Sequence, residues 1–115
     1  MDRIHYAGDS ILTGTEIARA LLEYAQALAV AGTSATVDIP VVDERDGSIG
    51  RSELLIGPAS QLISDTEDSP YDDAIDHDLV THMYDEAARL RRYGADAPTA
   101  VTGVEENNPV EDFDI

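Results

Sequence analysis

Residues 16–31, EIARALLEYAQALAVA, constrain this chain more than any other stretch. Ile17, Leu21, Tyr24 and Leu28 recur at helical spacing with alanines between them, which predicts an amphipathic helix with one face committed to a core. Thr13 stands three residues before Glu16, the spacing of a capping box that satisfies two amides at a helix start. Gly32 follows as the left-handed stop. So many small side chains predict close packing on a sheet.

That sheet is predicted on both sides of the helix. Ser34–Asp43, SATVDIPVVD, alternates, with Ala35, Val37, Ile39 and Val41 on one face and Thr36, Asp38 and Pro40 on the other. Pro40 has no amide hydrogen to give, which predicts an edge strand or a local irregularity. The turn Glu44–Gly47, ERDG, leads into a second strand in which Leu54 and Ile56 alternate with Glu53 and Leu55, so residues 34–57 are predicted as a β-hairpin. Upstream, Arg3–Ala7 reads as a strand and Gly8-Asp9-Ser10 as a turn, with Ile11 and Leu12 returning. Gly57-Pro58 ends the hairpin; Leu62 and Ile63 return to the sheet or anchor the chain.

Beyond residue 64 the character changes. Residues 64–71, SDTEDSPY, read as an acidic linker, and a second helix is predicted over about 72–93 with Ile75, Leu79, Met83 and Leu90 as its stripe and Gly94 as its stop. Its acids crowd the first half and Arg89, Arg91 and Arg92 sit at the end, as the helix macrodipole favours. Residues 95–115 have no periodicity and are expected to be disordered. The expected fold is α+β: a small antiparallel sheet, made of a short N-terminal strand or hairpin plus a hairpin at about 34–57, packed by a long helix at about 15–31, with the acidic helix added. Three units are expected in this one domain: a core over 1–64, the linker and helix over 65–94, and the tail over 95–115.

Charge limits the function. The 115 residues carry 24 acids and 7 arginines, a formal net charge of −17, with no lysine and no cysteine. Nine acids and four arginines in 1–64 give −5, nine and three in 65–92 give −6, and six acids without a base in 93–115 give −6. Such a surface repels nucleic acid and anionic membranes, which argues against direct binding to either. The absent cysteines exclude disulfides and thiol chemistry. The start, MDRIHYAG, lacks a basic patch and apolar run, and the longest apolar region, Ala25–Ala31, is interrupted by Gln26 and short for a membrane span; a cytoplasmic protein is expected.

Gly8-Asp9-Ser10 resembles the block that carries the nucleophile of GDSL-type esterases and lipases. That family pairs its serine with a late histidine three residues after an aspartate, whereas Ala74 and Leu79 precede His77 and His82 at that spacing. No catalytic residue is assigned, and the block reads as a turn. Asp78, His82 and Glu86 fall four residues apart on one helical face, a spacing that can chelate a divalent metal and that an acidic helix also produces by composition. No metal or other cofactor is expected. Gly57, Ser60 and Gln61 are the candidate ligand rim, small polar residues just after a strand. The tail ends VEDFDI, and Glu111, Asp112, Phe113, Asp114 and Ile115 are candidate partner-binding residues, because acidic-apolar tails order on a partner.

HYAGDSILTGTEIARALLEYAQALA, followed by IPV and LLIGPASQL, resembles small hypothetical proteins of high-GC actinobacteria over about residues 4–64. The resemblance implies no activity and no site residues; it accords with the missing lysines. The expected function is a non-enzymatic, acidic interaction module whose partner is another protein, a basic one in particular. A DNA-mimicking inhibitor of a nucleic-acid-binding protein and a small-ligand or metal-dependent enzyme are the alternatives.

Overall fold

A computed structural model describes residues 1–96, with side chains through Arg92. The architecture is α+β: β1 (Asp2–Tyr6), β2 (Asp9–Thr13), α1 (Thr15–Ala31), β3 (Ala35–Val42), β4 (Ile49–Ile56), β5 (Ile63–Thr66) and α2 (His77–Asp96). Two antiparallel sheets form, one in the order β2-β1-β5 and the other β3-β4. The sheets meet where the Thr13 hydroxyl donates 2.7 Å to the Pro40 carbonyl. The tail residues Glu111–Ile115 lie outside the described residues.

Helix α1 forms where its pattern places it, and Gly32 closes it in the left-handed conformation at φ 70°, its amide reaching back to the last turn. The predicted capping box does not form. Gly14 is the N-cap and no side chain caps it; Thr13 is the buried last residue of β2 and spends its hydroxyl on Pro40. Gly14 is required for a steric reason, since a Cβ there would collide with the carbonyl of Ala74. Ile17, Leu21 and Leu28 share one cluster with Val37, Ile39, Leu54 and Ile56, the packing predicted for the helix on the hairpin.

The first hairpin turns on two residues, not three. Ala7 and Gly8, at φ 53° and 79°, form the link, and Asp9 and Ser10 already belong to β2. Positive φ at both central residues is what a type I′ turn demands, because its twist matches that of the strands. The second hairpin closes with a wider loop. Asp46 and Gly47 both donate to the Asp43 carbonyl, Asp43 donates 2.8 Å to the Ser48 carbonyl, and Gly47 has φ 77°, the pattern of a four-residue loop built around a type I turn. Hydrogen bonds from the Arg45 side chain and amide hold the Asp43 carboxyl at about 2.

The acidic stretch is more structured than its composition predicts. Residues 63–66 form β5 on β1, across the division expected at residue 64. Helix α2 starts at His77, five residues after Asp72, because Asp76 is its cap: the Leu79 amide donates 3.1 Å to the Asp76 carboxylate. Ile75 therefore precedes the helix and is exposed, while Met83, Ala87 and Leu90 are buried. Gly94 does not stop the helix, which continues to Asp96. The approach of Glu16 to His77 (3.9 Å) and the ion pair Glu23–Arg91 (3.0 Å) show α2 running parallel to α1. Burial, with the Glu86 charge behind it, pushes the Tyr24 hydroxyl up at this helix contact.

Candidate functional site

The end of β4 and the tip of the first hairpin enclose the candidate site. A groove of about 930 Å³ is lined by the β1–β2 turn from His5 to Ser10, by Ser34, and by Leu55–Gln61 and Ile63. The strand alternation explains its floor. Leu54 and Ile56 point into the core, so Leu55 must point out; Leu55 and Ile63 are each 61% exposed. Tyr6 spans the groove, its hydroxyl donating to the Leu55 carbonyl.

The rim is the small turn after β4. The Gly57 amide donates 2.9 Å to the Ser60 hydroxyl, and the Ser60 amide donates 3.0 Å to the Gly57 carbonyl. These reciprocal bonds fix the turn, and Gly57 lies so close to Ser34 that a Cβ would clash with it. Gly57, Ser60 and Gln61 thus stand together in the groove wall. Nothing local marks Ile63 and Tyr6 as wall residues; the readable signal is the apolar Leu55 on the outward side of a strand.

Polar side chains organise the outer face of the first sheet. Arg3 donates to Glu67 at 2.6 and 3.1 Å, to Glu44 at 2.7 Å and to the Ser10 hydroxyl at 3.2 Å. Hydrogen bonding from Arg3 holds the Glu67 carboxyl below its ordinary value, and Glu67 and then Glu44 raise Arg3 further. His5 Nε2 lies 3.0 Å from the Asp65 carboxylate. Ser10 is therefore held by a guanidinium inside a hairpin strand, and the imidazole beside it is turned to Asp65. This differs from a serine presented to an imidazole base on a strand-to-helix connection.

On the far side, Asp78 and His82 are exposed on α2, and the Glu86 carboxylate receives Arg89 at 2.7 Å. That bond holds the Glu86 carboxyl below its ordinary value. Among the described residues no group of three or more acidic or histidine side chains is placed to hold a metal ion, and no helix is long and apolar enough to cross a membrane. No family model, no curated protein and no solved structure matches the chain.

Proposed function

We propose that the chain is a non-enzymatic, acidic protein-binding module that takes an apolar segment of a basic partner protein in the groove beside Leu55 and Ile63. One observation carries the reading: two large aliphatic side chains, each 61% exposed, stand in the wall of one groove. Their water-exposed surface favours burial at about 25 cal/mol per Å², and apolar patches rimmed by polar groups mark interaction sites. The sign of the partner follows from the formal charge of −17, which attracts basic surfaces and steers their approach.

The tail residues Glu111, Asp112, Phe113, Asp114 and Ile115 are proposed as a second contact with the same partner, on their acidic-apolar composition. A cytoplasmic setting suits a chain with no cysteine to oxidise. Membership of the actinobacterial family stays a proposal resting on residues 4–64.

The test compares the natural chain with Leu55→Ser/Ile63→Ser in capture from host lysate at low salt, followed by Kd measurement with the purified captured protein. A basic protein released by salt, with Kd weakened roughly tenfold or more by the double substitution, is expected. An unchanged Kd would remove the groove from the interface. A chain ending at residue 96 measures the tail separately, and a partner displaced by DNA would make the acids stand-ins for phosphates.

A further inference from the structure

The open edge of β4 has a self-complementary order of side chains. The bond from Asp43 to Ser48 sets the ladder phase, so the hydrogen-bonded pairs are Val41↔Gly50, Ile39↔Ser52, Val37↔Leu54 and Ala35↔Ile56. Ile49, Arg51, Glu53 and Leu55 alternate with these and point their amides and carbonyls away from β3. Two facts agree with that phase. Pro40, which has no amide hydrogen, pairs with Arg51, and the outward Pro40 and Leu55 carbonyls are met by Thr13 and Tyr6. Among the described residues the outward amides and carbonyls of Arg51 and Glu53 have no partner.

We infer that two copies of this chain associate through antiparallel β4 edges centred on Ser52. In that register Arg51 of one copy lies opposite the partner's Glu53, and Ile49 opposite the partner's Leu55. The order apolar, positive, negative, apolar is complementary to its own reverse, so Arg51 meets Glu53 and Ile49 meets Leu55 on both halves of the seam at once, the Arg51 guanidinium having donors to spare beyond its 3.1 Å contact with Asp38. Ile49 and Leu55 are both exposed, at 54% and 61%, and Glu53 has no ion pair among the described residues. The four central hydrogen bonds use only Arg51 and Glu53 backbone, leaving the Tyr6 bond to Leu55 intact. Natural edges are blunted by proline, bulges and charge; here Pro40 lies on β3, and each of the two charges on β4 meets the image of the other. Pairing turns the two-stranded sheet into a four-stranded one and adds the partner's Ile49 to the apolar wall at Leu55.

This association goes beyond binding of a basic protein and responds oppositely to salt. Each copy carries a net charge of −17, so screening removes repulsion and strengthens the dimer, whereas it weakens a basic complex.

The absence of cysteine makes the register testable. Ser52 faces its own image as a non-hydrogen-bonded pair, where Cα atoms sit about 4.5 Å apart, within disulfide reach. Mild oxidation of Ser52→Cys at high protein concentration should give a linked dimer, while Gly50→Cys, which falls opposite the partner's Leu54, should link far less. In sedimentation at rising salt, the full chain should dimerise more strongly, and Glu53→Arg should raise the dimer Kd roughly tenfold by setting like charges face to face. Arg51→Glu/Glu53→Arg, which restores the pairing, should recover it. Equal linking of both cysteine variants, a monomer at every salt and protein concentration, or failure of the charge exchange to rescue would each overturn the inference.

Discussion

The β1–β2 and β3–β4 hairpins use the same antiparallel ladder and differ at their edges. Strand β1 is central: Asp2, Ile4 and Tyr6 bond to β2, while Arg3 and His5 bond to β5, so each of its amides is used. Its side chains are equally committed, with Ile4 in the core and Asp2 buried among hydroxyls from Thr15 (2.8 Å) and Ser64 (3.0 Å). Strand β4 bonds on one side alone, and its outward residues are exposed. The first hairpin ties sheet to helix. The second leaves a row of hydrogen-bonding groups and apolar side chains open beside the groove. Where backbone groups are all satisfied the structure is stability; where every second one is open there is room for a partner.

Substitutions at neighbouring positions should break that contrast most plainly. Ile56→Ala, at a fully buried site, is expected to cost about 2–5 kcal/mol. Leu55→Ala next to it should stay within about 0.5 kcal/mol. Chemical denaturation of both variants measures the difference, and equal costs would mean that β4 has no free face.

Asp2 gives the next largest effect. Asp2→Ala strands two hydroxyls and should cost about 1–3 kcal/mol. Burial pushes its carboxyl up, yet hydrogen bonds from Thr15, Ser64 and Thr66 outweigh that and leave it below the ordinary 3.8. A carboxyl depressed on folding contributes stability that is complete above its unfolded value and is lost as pH falls through the folded one. Acid titration of stability should therefore steepen below about pH 4 in the natural chain and flatten in Asp2→Asn.

Smaller effects sharpen the comparison. Ala7 holds φ 53°, where an L side chain is strained, so Ala7→Asn should raise stability by about 0.5–1 kcal/mol in thermal melts. Glu53→Pro removes an outward amide and should also cost less than about 1 kcal/mol. Ser52→Pro, which removes a ladder bond, serves as its contrast at about 3 kcal/mol or more.

Local periodicity made α1 and the β3–β4 hairpin legible, because each needs only its own residues to declare a face. The fold departs from the local signals where one signal has two uses. Thr13 and Glu16 have capping-box spacing, but Thr13 is claimed by the neighbouring strand and Gly14 by close contact with Ala74. The acids from Asp72 onward all suit a helix start, and only Asp76 has its carboxylate on the right amide. Strand β5, ISDT, has almost no strand character of its own and exists because β1 offers an edge. The rim was legible from Gly57-Pro58 and the small residues after it. Its apolar wall was not, since Leu55 and Ile63 meet only through the topology.

Amide hydrogen exchange of the dilute protein tests the open edge most directly. The account predicts continuous protection along β1 and alternating protection along β4, with Ser52 and Leu54 slow and Arg51 and Glu53 fast. Arg51 and Glu53 amides as slow as those of Ser52 and Leu54 at high dilution would contradict it, because the edge would then be closed within a single chain.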